Sequence, residues 1–309
     1  MPEDGLLSLI GGTPLVEMPR LSPKPGIRLF AKLEGQNPTG SIKDRIVLRM
    51  LNEAERRGDI APGSTIVEAS SGNTAIALAM IGKQRGYRIH VVVPNDVAPS
   101  IRDILELYNT EVTWCESRAG MRGAIELALD IAQRKNCYYL DQFDDKANVA
   151  THYETTGKEI IEALPQVDVF VAGIGTGGTI MGVGRRLREE NPQVRLIGVT
   201  PRMGERLQGL RSLSEGYVPP LLDLDRLDGR FLIDTVDAVE GARLVVSSEG
   251  ILAGVSSGAA LSAALRVAYD MDSGNIVIMF SDGGWKYLPA RLWGSPVQDT
   301  ETLDDTHWW

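Results

Sequence analysis

A lysine, an asparagine among hydroxyls, a run of glycines and a pair of serines each stand where a turn-rich loop runs into a helix. The first loop, Asn37-Pro38-Thr39-Gly40-Ser41-Ile42-Lys43-Asp44-Arg45, puts Lys43 at a helix start. The helix dipole opposes a cation there and favours a neutral amine, the form that condenses with an aldehyde. The second, Ser70-Ser71-Gly72-Asn73-Thr74, offers backbone N–H groups and hydroxyls at the next helix N-terminus, a setting for a carboxylate. The third, Gly173-Ile174-Gly175-Thr176-Gly177-Gly178-Thr179, can bring several backbone N–H groups onto a phosphate, with Thr176 and Thr179 adding hydroxyl donors. The fourth, Gly254-Val255-Ser256-Ser257-Gly258, is a capped helix start. Each loop alone also fits a plainer role: a solvated lysine, or an ordinary N-cap. The third satisfies Gly-x-Gly-x-x-Gly at Gly173, Gly175 and Gly178, a weak dinucleotide signal. The acidic residue expected after the next strand is replaced by Val199-Thr200-Pro201, which leaves Arg202 to meet a 2′-phosphate in an NADP-binding reading.

The elements that must position these loops read as an alternation of short β-branched runs and longer amphipathic stretches, the pattern of an α/β protein with a largely parallel sheet. Strands are predicted at 28–33, 65–68, 88–93, 111–115, 167–172, 194–200 and 275–280, with helices between most of them. After Lys43, residues Ile46, Val47, Met50, Leu51 and Ala54 share one helix face, Glu53 and Arg57 are spaced for an i,i+4 pair, and Gly58 stops the helix. Residues 201–230, rich in Gly and Pro, read as a long surface excursion of the kind that covers active sites. A second domain is expected as an inserted block of βα units over 36–145, the larger domain being 1–35 plus 146–309.

The composition of the 309 residues excludes several classes of function. Lys+Arg 32 against Asp+Glu 41 gives a net charge of −9, which repels phosphate backbones and anionic lipid, so nucleic acid is not an expected partner. The longest uncharged stretches, 169–184 and 250–265, fall short of the roughly 20 apolar residues of a membrane span. The start Met1-Pro2-Glu3-Asp4 lacks a signal-peptide pattern, and the two cysteines, Cys115 and Cys137, read as free thiols, so a cytoplasmic location is expected. No metal site is expected, since His90, His152 and His307 form no ligand pattern.

Taken in this order, the four loops resemble the β-family of pyridoxal-phosphate enzymes, and within it the cysteine synthases. They are joined in this by Gly12-Thr13-Pro14-Leu15-Val16, Lys32-Leu33-Glu34, Gln142-Phe143, Thr155-Thr156-Gly157 and Glu249-Gly250-Ile251. The match covers most of the chain. It implies a two-domain fold type II architecture, like the tryptophan synthase β subunit, each domain a mostly parallel sheet flanked by helices, with pyridoxal 5′-phosphate as cofactor. By the resemblance, Lys43 is the Schiff-base lysine and general base, Asn73 contacts the ring hydroxyl, and Gly175, Thr176, Gly177, Gly178 and Thr179 hold the phosphate. Ser256 faces the pyridine nitrogen, where a hydroxyl favours β-elimination over transamination. Ser70, Ser71, Asn73, Thr74 and Gln142 grip the substrate carboxylate.

The stretch Pro201-Arg202-Met203-Gly204-Glu205-Arg206 with Gly209-Leu210-Arg211 resembles the O-phosphoserine-using branch, in which an arginine at the position of Arg211 pairs with the substrate phosphate. So does the ending, through Asp282-Gly283-Gly284-Trp285-Lys286-Tyr287-Leu288 and the tail Trp308-Trp309, which in such relatives can fold over the active site. The implied reaction is β-replacement of O-phosphoserine or O-acetylserine through an aminoacrylate to give cysteine. The implied sulfur donor is sulfide, thiosulfate or a thiocarboxylated carrier protein, and a homodimer is the family expectation. Ser70, Ala75, Lys158 and Pro289-Ala290 depart from the family pattern. Cystathionine β-synthase and 2,3-diaminopropionate synthase share the implied chemistry. An NADP oxidoreductase and a non-catalytic interaction paralogue are the readings from other classes.

Overall fold

Runs such as Ile89–Val93, Val169–Ala172 and Ile276–Phe280 are apolar at every or nearly every position, as strands covered by helices on both faces must be. They form the interiors of two sheets. The computed structural model describes residues 5–290 except 71, 96, 98, 117–119, 206 and 214–216. Ser71 and the Trp308-Trp309 tail lie outside the described residues.

In chain order the elements are β1 (Leu15–Glu17), β2 (Ile27–Leu33), α1 (Lys43–Arg57), β3 (Thr65–Ala69), α2 (Asn73–Arg85), β4 (Arg88–Pro94), α3 (Pro99–Leu107), β5 (Glu111–Cys115), α4 (Gly120–Lys135) and β6 (Tyr138–Tyr139). There follow α5 (Ala147–Glu154), α6 (Thr156–Ala163), β7 (Val169–Gly173), α7 (Gly178–Glu190), β8 (Arg195–Pro201), β9 (Gly229–Ile233), α8 (Thr235–Glu249), α9 (Val255–Tyr269) and β10 (Gly274–Phe280). Strands β5-β4-β3-β6 make a parallel four-stranded sheet. Strands β1-β2-β10-β7-β8-β9 make a six-stranded sheet, parallel except for the short antiparallel edge strand β1.

The last strand, β10, sits at the centre of the larger sheet, paired with β2 from Gly274↔Ile27 to Phe280↔Leu33 and with β7 through Ile276↔Val169. Its C-terminal end therefore emerges beside the glycine loop that follows β7. This is where crossover connections leave open space at the carboxyl edge of an α/β sheet. All seven predicted strands are present, each within two residues at either end; β1, β6 and β9 are additional.

Helix α1 ends as expected at Gly58, whose φ of +79° suits glycine. The expected Glu53–Arg57 pair does not form. Glu53 instead pairs with Arg49 at 3.1 Å and Arg56 at 2.6 Å, and Arg57 turns past the helix end to Asp59 at 2.6 Å. A carboxylate flanked at i−4 and i+3 is already satisfied, and a last-turn arginine reaches the following acidic residue more easily than back up the helix. The 201–230 region is not only surface: Leu207, Ser212 and Leu222 are buried, and residues 207–212 form a wall of a cavity described below.

Candidate active site

Helix α1 begins at Lys43 itself, and the loop before it is held from the far end of the chain. The Ile42 N–H donates to the Ser281 carbonyl at 2.9 Å, and the Gly283 N–H donates to the Gly40 carbonyl at 3.1 Å. The Trp285 ring lies so close to Gly40 that a Cβ there would meet it at 2.7 Å. Asp44 closes the turn by accepting hydrogen bonds from the Thr39 N–H at 2.8 Å and from the Thr39 hydroxyl. Lys43 is thus rigidly aimed. Withdrawal from water pushes its amine down to about 8, against the pull of Asp282 and helped by the charge of Lys286. Burial, rather than the helix dipole assumed from sequence, is the main cause.

At the start of α2 the residues divide their work differently from expectation. The Ser70 hydroxyl accepts from the N–H groups of Gly72 and Ala75 at 3.3 and 3.2 Å, so Ser70 does the capping. Asn73 does not cap. Its amide nitrogen donates to Asp282 Oδ2 at 2.8 Å and its carbonyl accepts from the Lys286 ammonium. The Thr74 hydroxyl donates to Gln142 Oε1 at 2.7 Å, while Gln142 Nε2 donates to the Ala69 carbonyl at 3.2 Å and to Glu68 Oε1 at 3.3 Å. The Gln142 amide is therefore spent on orienting Thr74.

The glycine loop joins β7 to α7, whose first N–H groups have no partner within the helix and point at the cavity end. Gly177 has a φ of +86°, and a Cβ at Gly175 would strike the Gly209 carbonyl at 2.7 Å, so only glycines let this loop lie against Gly209 and Leu222. The Thr176 hydroxyl oxygen accepts from Asn148 Nδ2 at 3.1 Å and from the Gly178 N–H at 3.2 Å. Thr179 meets His152 Nε2 at 3.3 Å, and burial, with the nearby charges of Arg45 and Lys43, holds that imidazole well below its usual range and so neutral. Lys43, Asn73, Gly175, Thr176, Gly177, Thr179 and Ser256 line one narrow recess; Gly178, also expected at the phosphate, is not in its lining, and its N–H is given to the Thr176 hydroxyl.

The recess opens into a cavity of about 260 Å³ lined by Ser70, Asn73, Thr74, Gln142 and Arg211 among others. The Arg211 guanidinium stands over both the Phe143 and Tyr217 rings, 4.8 and 4.9 Å from their centroids, the two rings themselves meeting edge to face. Gln208 Nε2 and Ser212 Oγ, both on this wall, are buried donors with no protein partner among the described residues. Unpaired donors beside a guanidinium suit a polar, anionic guest. At the other end, an amine of lowered pKa, a helix N-terminus behind a glycine loop, and a hydroxyl at Ser256 meet the needs of an aldehyde, a phosphate and a ring nitrogen. The residues present therefore fit pyridoxal phosphate.

Sequence reasoning gave no role to Glu68, Asp282 or Lys286, because a lone acid or lysine in sequence carries no sign of being buried. Glu68 is fully buried, and burial, with the charge of Asp141, pushes its carboxyl up to about 8. A carboxyl raised in the fold stabilises most below its unfolded value and loses that contribution as pH rises. Between about pH 4.5 and 8 the parent should lose several kcal/mol from this group, whereas Glu68→Gln should not. Melting temperatures measured across that range check this; parallel profiles for parent and variant would contradict it.

With the geometry in place, comparison with known proteins is direct. Residues 6–282 match the family model "Pyridoxal-phosphate dependent enzyme". The chain is 41% identical over 286 residues to cysteine synthase B of Salmonella typhimurium, covering 92% of this chain and 94% of that one. It is 36% identical over 302 residues to a cysteine synthase of Staphylococcus aureus, covering 94% and 97%. Among solved structures, an O-ureido-L-serine synthase superposes with a TM-score of 0.90 at 33% identity, covering 98% of this chain and 99% of that one. The cysteine synthase of Entamoeba histolytica superposes with a TM-score of 0.87 at 32% identity, covering 98% and 96%. The nicotinamide reading of the glycine loop gives way; Arg202, its one supporting cation, pairs with Asp234 at 3.8 Å. The architecture is fold type II, the cofactor is pyridoxal 5′-phosphate, and the chain belongs to the pyridoxal-phosphate dependent enzymes, in the branch that holds the cysteine synthases.

Proposed function

We propose that this chain is a cysteine synthase that replaces the β-substituent of O-phosphoserine with a sulfur nucleophile. The observation that carries the reading is a single cavity with a buried, low-pKa lysine at its base, a phosphate-type loop at one end and Arg211 on its wall. The two sheets correspond to a smaller, substrate-gripping domain over 36–145 and a larger domain formed by 1–35 plus 146–309.

When bound, the cofactor supplies an electron sink for negative charge developing at the substrate Cα. The chain's own residues do the rest. Lys43 would hold the cofactor aldehyde at rest and, as a free amine, would take and later return the Cα proton; its pKa of about 8 suits both directions near neutral pH. The N–H groups of Gly175 and Gly177, with the Thr176 and Thr179 hydroxyls, would hold the cofactor phosphate, Gly178 fixing the Thr176 hydroxyl through its own N–H, and Ser256 would face the ring nitrogen. Asn73 offers an N–H to the ring hydroxyl. Ser70, Ser71, Asn73 and Thr74 receive the substrate carboxylate, Thr74 through its backbone N–H, since its hydroxyl proton is given to Gln142. Arg211 pairs with the departing phosphate, for which a planar fork of donors is well shaped. Sulfide, the simplest donor, then enters through the space the phosphate leaves.

Steady-state assays with O-phosphoserine and O-acetylserine on the parent and on Arg211→Ala test this. The parent should favour O-phosphoserine, and the variant should lose about 10²–10³ in kcat/KM for it, the worth of a desolvated charge-assisted pair, while O-acetylserine changes only a few-fold. Equal losses for both substrates would remove Arg211 from leaving-group recognition.

A further inference from the structure

The proposed mechanism uses one lysine, yet the segment after β10 delivers a second to the same place. The Lys286 and Asp282 side chains are each only 1% exposed, with Lys286 Nζ 3.7 Å from Asp282 Oδ2. The Lys286 ammonium donates to Asn73 Oδ1, and Asp282 Oδ2 accepts from Asn73 Nδ2 and from the Tyr287 hydroxyl, each at 2.8 Å. Two charges and an amide are thus interlocked beside Lys43, Asn73 coming from the start of α2 and its two partners from the exit of β10, 209 and 213 positions away.

The chemistry of these groups leaves the amide one orientation. An ammonium can only donate, so it must face the Asn73 oxygen; a carboxylate can only accept, so it must face the Asn73 nitrogen. One Nδ2 hydrogen goes to Asp282, and the other remains for a group in the cavity that Asn73 lines. Burying a lysine is costly, and this one gains no solvent contact in return. Beyond its clamp partners it faces Lys43, Asp44 and the Trp285 ring, whose centroid lies 5.5 Å from Nζ.

We propose that Lys286 is a positioning residue for the cofactor: with Asp282 it clamps the Asn73 carboxamide so that an N–H, and not the carbonyl, is presented to the cofactor ring. The proposal rests on the reading of Asn73 as a cofactor contact. Replacing Lys286 by a neutral side chain of similar length leaves Asn73 Oδ1 without its donor and the carboxamide held by Asp282 alone, so its N–H is presented to the ring hydroxyl less firmly.

The test is a double-mutant cycle read as the dissociation constant of pyridoxal phosphate, followed by absorbance titration of the apoprotein, together with the position of the visible band. Lys286→Met and Asn73→Ala should each weaken cofactor binding about tenfold, the worth of one hydrogen bond to a charged or strongly polar partner. The double variant should bind no more weakly than Asn73→Ala alone, since Lys286 acts through Asn73. Lys286→Arg, which keeps donors for Oδ1, should restore affinity to within a few-fold. Parental affinity in Lys286→Met, or additive losses in the double variant, overturns the proposal. Parental affinity in Asn73→Ala instead overturns the reading of Asn73, a separate result. If Lys286→Met does not fold, Asp282→Ala removes the acceptor on the other side of the same clamp, and parental cofactor affinity in that variant overturns the proposal equally.

Discussion

Replacing Lys43 with alanine should abolish the absorption band of the lysine–cofactor bond and lower kcat/KM for β-replacement by at least about 10³–10⁴, the range for a group that supplies both covalent attachment and proton transfer. At pH 8 a lysine of pKa about 8 is about half neutral, whereas one at its ordinary value of 10.5 is under 1% neutral. The fold therefore supplies a substantial fraction of neutral amine near pH 8. The same burial predicts that the loss will be chemical rather than structural. Alanine is the best helix former and relieves the cost of a buried cation, so the apoprotein should melt no lower than the parent. Spectra, steady-state rates and apoprotein melting, measured together, check this; a variant that keeps its colour and turns over would remove Lys43 from the centre of the site.

The largest effect on stability should come from Arg45, two residues further along α1. Its guanidinium donates through Nε to Glu34 Oε2 at 2.7 Å and through Nη2 to Glu34 Oε1 at 2.9 Å, a bidentate pair, and reaches Glu159 at 2.6 and 2.7 Å. Lys32 adds a second cation to Glu159 at 2.6 Å. This four-charge strut ties α1, and with it Lys43, to the end of β2 and to α6. Arg45→Met leaves Glu34, fully buried, without its counter-charge, and should cost about 3–5 kcal/mol, on the order of 10 °C in melting temperature. Arg45→Lys should rescue little, because an ammonium cannot span two carboxylates with a fork. Burial raises the Glu159 carboxyl, but hydrogen bonds and charge from Arg45 and Lys32 outweigh it and hold the group at about 2. A depressed carboxyl stabilises the fold above its unfolded value of about 4.5 and loses that contribution as pH falls towards 2, so the parent should be more acid-labile than Arg45→Met relative to its own neutral-pH stability. Thermal melts at pH 7 and at pH 3 to 4 measure both effects; a loss under 1 kcal/mol would show the strut to be a solvated surface network instead.

How much of this was legible in the sequence depended on whether the signal was local. Lys43 at a helix start, the glycine loop between β7 and α7, and Gly58 as a helix stop are local patterns, and they appear where the sequence puts them. Strands β1 and β6, of three and two residues, are too short to carry a period; they exist because a neighbouring strand offers an edge. Strand β9 alternates in burial, but its start was hidden in the Gly- and Pro-rich run before it. The clamp on Asn73 was not legible at all, because its two halves are over 200 positions apart and nothing in the stretch Asp282 to Lys286 shows which residue it will face. Ser70 was read as a substrate group in a capping loop, and its hydroxyl proves to be the cap. The cause of the Lys43 shift was misassigned for the same reason: a helix start is visible in sequence, and enclosure by segments 207–212 and 281–287 is not.

The most direct test of the central claim is to reduce the purified holoprotein with borohydride, which makes the lysine–cofactor bond permanent, and to map the modified peptide by mass spectrometry. Two lysines, Lys43 and Lys286, lie close together in this site, so the map discriminates between them. The account predicts one cofactor adduct per chain, on Lys43. An adduct on Lys286, or none on a protein that still catalyses β-replacement, would contradict it.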